Sequence, residues 1–113
     1  IEISRAVRDM GKRARGEGGS LTQAEMTQGT FGTSNLGMFG TDTFAAIIVP
    51  PNAGIIAVGA IKDVPVVKDG QIVPGKVMNA TISADHRVGD GAEAAILMGE
   101  FQKTLENPAR LML

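Results

Sequence analysis

The sequence predicts an α/β fold, a sandwich of helices on a mixed sheet, and three observations carry the prediction. Residues Ile55 to Ile61 run apolar without alternation, as in a central strand covered on both faces. After Gly91, the residues Ala94, Leu97, Met98, Phe101 and Leu105 form the stripe of a helix laid on a sheet. Between them, Asp69-Gly70 separates two β-branched runs, the punctuation of a two-residue hairpin.

Taken in order, the chain opens with Ile3, Ala6, Val7, Met10 and Ala14 at helical spacing, while Glu2, Arg5, Arg8, Asp9, Lys12 and Arg13 take the other face. This predicts an amphipathic helix ending near Gly16. Its basic residues read as a solvated face, with a local anion site for a substrate phosphate as the alternative. Glu17 to Ser20 is a Gly-rich linker, and Thr22 with Glu25 three places on is a capping-box pattern for a short helical turn.

From Gly29 the strand formers Thr30, Phe31 and Thr33 lead into Ser34-Asn35-Leu36-Gly37-Met38-Phe39-Gly40, a glycine-punctuated loop that lets backbone come close to a neighbour. Thr43 to Val49 reads as a strand stopped by Pro50-Pro51. Val64 to Lys68 and Gln71 to Val73 flank the hairpin turn. Lys76 to Ala84 then reads as one long strand, with Met78, Ala80, Ile82 and Ala84 on an apolar face and Asn79, Thr81 and Ser83 on a polar one. Asn107-Pro108 ends the last helix, and no internal repeat interrupts the order.

Composition excludes several function classes. With 43% hydrophobic residues the chain has the material for a core of ordinary size, as one domain or part of one. Eleven Lys and Arg against twelve Asp and Glu leave a net charge of -1, so nucleic acid is not an expected partner. The absence of cysteine excludes disulfides, a thiolate metal site and a cysteine nucleophile, and a single histidine cannot complete a zinc site. The six methionines lack ligand spacing and read as core filler. Ala45 to Val49 and Ile55 to Ile61 are too short to span a bilayer, no signal peptide is visible, and the chain reads as intracellular and free of membrane. It begins at Ile1 inside a helical pattern, so a piece of a longer polypeptide is expected.

The candidate site centres on that one histidine. His86 falls where a strand hands over to a helix, a common place for reactive groups, and the positive end of the helix dipole disfavours an imidazolium there. A neutral imidazole suits a general base; a purely structural histidine is the alternative. Asp90, with Glu93 three residues on, reads as the N-cap of the last helix. Its functional alternative is that its carboxylate, or an ion pair to an arginine, fixes the backbone that aims His86. Ser34 lies in Gly32-Thr33-Ser34-Asn35-Leu36-Gly37, with the second glycine one place late for a nucleophile elbow. A donor to an oxyanion and a turn residue bonding its own backbone are the readings that remain, and a serine hydrolase using Ser34 and His86 ranks last.

Asp85-His86-Arg87-Val88-Gly89-Asp90-Gly91 resembles the D-H-R-V-x-D-G signature of the dihydrolipoamide acyltransferases, core components of the 2-oxoacid dehydrogenase complexes. Gly29 to Gly40 resembles that family's G-T-F-T-I-S-N-L-G-M-F-G, and Phe44 to Ile48, Pro50-Pro51, Ala57-Val58-Gly59 and Leu105 to Pro108 resemble further segments in the right order. The departures are Gly32-Thr33 where Thr-Ile is usual and Gly89 where a larger residue is common.

The resemblance implies a chloramphenicol-acetyltransferase-like sandwich of which residues 1–113 are the C-terminal part of the catalytic domain. It implies transfer of an acyl group between dihydrolipoamide and coenzyme A, both as substrates, with no cofactor bound covalently and no metal. His86 is then the general base, Ser34 the oxyanion donor and Asp90 the motif's supporting acid. It further implies a homotrimer, with His86 from one subunit meeting Ser34 of the next, and a larger cubic or icosahedral core to which apolar Leu111-Met112-Leu113 contributes. Implied partners are decarboxylase and dihydrolipoamide dehydrogenase components and lipoyl domains, in a bacterial cytoplasm or a mitochondrial matrix. A non-catalytic assembly module of such a core is the competing reading.

Overall fold

The computed structural model describes residues 1–112. Helix α1 spans Glu2–Ala14 and helix α2 Gln23–Thr27; strand β1 is Gly32–Asn35, β2 Gly54–Val58, β3 Lys62–Lys68, β4 Gln71–Val77 and β5 Ala80–Ala84; helix α3 is Gly91–Glu106. One-turn 3-10 helices cover Gly37–Phe39 and Pro108–Met112.

The α/β class holds. Strands β1, β2 and β5 form a mixed sheet: β1 runs parallel to β2, from Gly32 opposite Ile55 to Asn35 opposite Val58. β5 runs antiparallel to β2, from Ala84 opposite Gly54 to Ala80 opposite Val58. The apolar run is central over Ile55 to Val58, as its composition predicts, but leaves the strand at Gly59, with Ile61 67% exposed. Ile56 and Ala57 point to opposite faces of β2 and are only 6% and 2% exposed. The hairpin also forms, in longer arms than expected, with φ of 53° at Asp69 and 76° at Gly70. That pair of positive angles is what a tight hairpin turn with right-handed strands requires.

Two strand expectations fail. Lys76 to Ala84 is two strands, because β4 bonds only to β3 in a separate two-stranded sheet while β5 bonds to β2. The chain changes sheets at Met78-Asn79, where the Asn79 carbonyl accepts from Gly59 N at 2.9 Å and its side-chain amide donates to Asp42 and Thr43. Thr43 to Val49 forms no ladder among the described residues, yet it keeps a strand's alternation: Phe44, Ala46 and Ile48 are half-buried, and Ala45, Ile47 and Val49 exposed. The segment lays one side against the body without a strand partner among the described residues.

The expected core of ordinary size also fails to form. Ile56 and Ala57 are the buried apolar residues among those described, while Ile3 and Val7 on α1 remain 81% and 63% exposed. The accessible surface is 8851 Å², against about 5,900 Å² for a compact chain of this mass. Helix α1 meets no second layer; it is tied instead to the following linker and α2 through Arg13, which bonds Asp9, the Ser20 carbonyl and Glu25. Thr22 caps α2 as predicted, its hydroxyl accepting from Glu25 N at 3.1 Å, although the Glu25 carboxylate turns to Arg13 rather than back to the cap.

The glycine-punctuated loop comes close to backbone as its composition predicts, and the backbone is Gly59. A Cβ on Gly37 would lie 2.8 Å from the Gly59 carbonyl oxygen, and a Cβ on Gly59 would collide with the Asp42 carbonyl. This crossing locks the 36–42 loop over the end of β2. Gly59→Ala is therefore expected to lower stability by about 1–3 kcal/mol, read as a lower urea unfolding midpoint; an unchanged midpoint would contradict the crossing.

Candidate active site

The polar face of β5 leads to Asp85, whose N–H donates to the Ala53 carbonyl at 2.8 Å and so extends the β2–β5 pairing by one rung. The chain then turns. The Asp85 carbonyl accepts from Val88 N at 2.9 Å, which places His86 and Arg87 at the two corners of a β-turn. The His86 side chain is exposed and makes no hydrogen bond with the described residues. A cleft of about 220 Å³ lies beneath the turn, with Phe31, Ile82, Val88, Ala94 and Leu97 among its walls. A larger groove, about 630 Å³, lies between the start of β5 and the far end of α3 and contains none of the candidate residues.

Asp90 is the N-cap of α3, as its spacing predicts. Its carboxylate accepts from Glu93 N at 2.9 Å, and the Glu93 carboxylate accepts from Asp90 N at 2.9 Å, a complete capping box. Gly89 fits this arrangement: a Cβ there would stand 2.7 Å from the Glu93 carboxylate oxygen that closes the box.

The arginine ion pair that was an alternative role for Asp90 is made by Asp85 instead. Arg87 Nη2 donates to Asp85 Oδ2 at 2.7 Å and Arg87 Nε to Oδ1 at 3.0 Å, while the Arg87 backbone N–H donates to Oδ1 at 2.9 Å. These side-chain and backbone bonds from Arg87 hold the Asp85 carboxyl down at about 2. The signal was present in the sequence as an aspartate two residues before an arginine at a turn, a pattern in which Asp bonds backbone two positions on.

Ser34 is half-buried on β1 in register with Ala57 and, across β2, with Thr81. His86 lies one residue beyond Asp85 and five beyond Thr81. At about 3.3 Å per residue and about 4.8 Å between strands, the two residues are on the order of 20 Å apart. The structure therefore brings His86 and Asp90 together on one connection and leaves Ser34 of the same chain out of reach. Among the described residues no group of three His, Asp or Glu side chains forms a metal site, and no helix is long and apolar enough to cross a membrane.

Residues 1–113 match the family model of the 2-oxoacid dehydrogenases acyltransferase catalytic domain. The chain belongs to this family. The dihydrolipoyllysine-residue acetyltransferase component of the pyruvate dehydrogenase complex of Rickettsia felis is 42% identical over 113 residues, covering 100% of this acyltransferase-family chain and 27% of its own length. The Azotobacter vinelandii dihydrolipoamide acetyltransferase, studied for the role of a serine, a histidine and an asparagine in its catalytic mechanism, superposes with a TM-score of 0.88 at 27% identity, over 99% of this chain and 45% of that one. The cubic core of the pyruvate dehydrogenase multienzyme complex superposes at 0.85 and 27% identity, over the same shares. The fold is thus that of acyltransferase catalytic cores, and the chain spans about a quarter of the curated relative and under half of those solved chains.

The Asp85 carboxyl stays charged well below the ordinary value of about 3.9. A depressed folded value means that its contribution to stability is present above pH 4 and is lost as pH falls toward 2. Carboxyl-carbon NMR is expected to place its midpoint near 2 and Arg87→Ala to return it toward the ordinary range; an unshifted midpoint in the variant would contradict the pairing.

Proposed function

We propose that the chain is the C-terminal part of an acyltransferase catalytic domain that moves an acyl group between dihydrolipoamide and coenzyme A, as a core component of a 2-oxoacid dehydrogenase complex. The observation that carries this is the family signature Asp85 to Gly91 folded as an exposed His86 at the junction of β5 and α3.

In the acyl-transfer direction, His86 takes the proton from the coenzyme A thiol. A thiol of pKa about 8.5 is mostly protonated at neutral pH, so an imidazole base raises the thiolate fraction at the moment of attack. The sulfur forms a bond to the thioester carbonyl carbon of acyl-dihydrolipoamide, and the resulting oxyanion accepts a hydrogen bond from the Ser34 hydroxyl. Collapse breaks the carbon–sulfur bond to dihydrolipoamide, and the imidazolium returns its proton to the departing sulfur. Sulfur is supplied by both substrates, which accords with a chain that has no cysteine.

The separation of Ser34 from His86 within one chain supports an active site shared between neighbouring subunits of a homotrimer. The Azotobacter vinelandii serine and histidine are as far apart in sequence as Ser34 and His86, and its asparagine follows the histidine at the interval of Asp90. Asp and Asn cap helices equally well, which supports a cap that steadies the start of α3, rather than an acid, as the role of Asp90. On the 3-10 helix at Pro108–Met112, Leu111 and Met112 are 77% and 88% exposed, which supports their use in assembly of trimers into a cubic or icosahedral core. Leu113 lies outside the described residues. Lipoyl domains, the decarboxylase and dihydrolipoamide dehydrogenase are the partners of this reading, in a bacterial cytoplasm or a mitochondrial matrix.

Ser34→Ala and His86→Ala should each remove most acyl transfer in the assembled enzyme, the serine change by roughly a hundredfold. Co-expression of the two variants should restore about a quarter of the sites, since a random mixed trimer pairs an intact histidine with an intact neighbouring serine that often. No recovery would contradict a shared site, and full activity of His86→Ala would overturn the reading. Asp90→Asn should keep activity and Asp90→Ala should lower it.

A further inference from the structure

We propose that Asp85 and Arg87 are positioning residues for His86, holding the corner of the turn from which the imidazole is presented. The proposal rests on the reading of His86 as the base and adds the device that aims it. An exposed ring without hydrogen bonds of its own takes its direction from backbone, so whatever fixes the turn fixes the base.

Three attachments converge on Asp85. Its N–H is bonded to Ala53, its carbonyl to Val88 N at 2.9 Å and Gly89 N at 3.3 Å, and its carboxylate to the N–H of Arg87, the residue after the histidine. His86 is thus enclosed between a main-chain bond and a side-chain bond from the residue before it. The guanidinium of Arg87 then forks onto the same carboxylate through Nε and Nη2 and keeps both of its oxygens in place.

The exposures separate a positioning role from a stabilising one. The Asp85 side chain is 21% exposed, whereas Arg87 is 86% exposed. Ion pairs with so open a partner contribute little to stability because water screens them and the arginine loses rotamer freedom. What the pair supplies is geometry at one corner. A base displaced by about 1 Å loses on the order of a hundredfold in rate, so the contact has a kinetic reading separate from the stability that it contributes above pH 4. The capping box at Asp90 holds the other end of the connection, and between these two anchors only Val88 and Gly89 are left without a side-chain tether.

The test compares Asp85→Ala, Asp85→Asn, Arg87→Ala and His86→Ala in the assembled enzyme, by steady-state acyl transfer and thermal unfolding. Asp85→Ala should lower kcat by about a hundredfold with KM for coenzyme A and dihydrolipoamide unchanged. Asp85→Asn, which retains an oxygen for the Arg87 N–H, should recover most of that loss, and Arg87→Ala should fall between. Should Asp85→Ala fail to assemble, Asp85→Asn and Arg87→Ala carry the comparison, with lowered kcat at unchanged KM in a folded, assembled Arg87→Ala as the supporting result. Wild-type kcat in Asp85→Ala or Arg87→Ala beside an inactive His86→Ala would overturn the positioning role alone. An active His86→Ala would overturn the reading beneath it.

Discussion

Strand β2 is the only strand bonded along both edges among the described residues, and the elements that present the site take their places from it. Its five residues carry Ile56 and Ala57, the buried apolar side chains among the described residues, one to each face. Its parallel edge sets the height of Ser34, and its antiparallel edge delivers β5 to Asp85 and the His86 turn. Because a one-residue slip of a strand reverses every side chain, the Ala57 rung fixes at once the face of Ser34 and the level at which His86 leaves the sheet. The Gly37–Gly59–Asp42 crossing closes the end of that strand and holds the loop that follows Ser34.

The consequence for chemistry is a division of labour within one short chain. The β5–α3 connection carries the candidate base, with Asp85 and Arg87 on its near side and the Asp90–Glu93 box on its far side. The candidate oxyanion donor, Ser34, stands at the other end of the sheet. A chain that splits its candidate groups in this way, and leaves Ile3, Val7, Leu111 and Met112 exposed, fits the proposed reading of a part completed by neighbours.

Local chemistry was well legible in the sequence. Asp69-Gly70 named its turn because few residues tolerate two successive positive φ angles, and Asp90 with Glu93 named its cap because the two side chains answer each other's backbone. The run from Ile55 named the central strand because only a strand covered twice does without a polar face. What periodicity could not show was where a strand finds its partner. Lys76 to Ala84 alternates without interruption, yet Asn79 hands it from one sheet to another; Thr43 to Val49 alternates too and has no ladder. Alternation reports which side of a chain is covered, and hydrogen-bonded pairing is a separate fact settled by distant residues. Periodicity likewise gave no distance between Ser34 and His86, whose placement on neighbouring subunits came from the family resemblance, and the cap role of Asp90 said nothing of the ion pair of Asp85.

In the proposed reaction, one imidazole, held at a strand-to-helix turn, meets a sulfhydryl delivered to it beside the serine of a neighbouring chain. A structure of the assembled acyltransferase with coenzyme A bound tests this most directly. The predicted result is the thiol within hydrogen-bond reach of His86 from one subunit, with the Ser34 hydroxyl of the adjacent subunit facing the same sulfur. A thiol bound away from His86, or reached by His86 and Ser34 of the same chain, would contradict it.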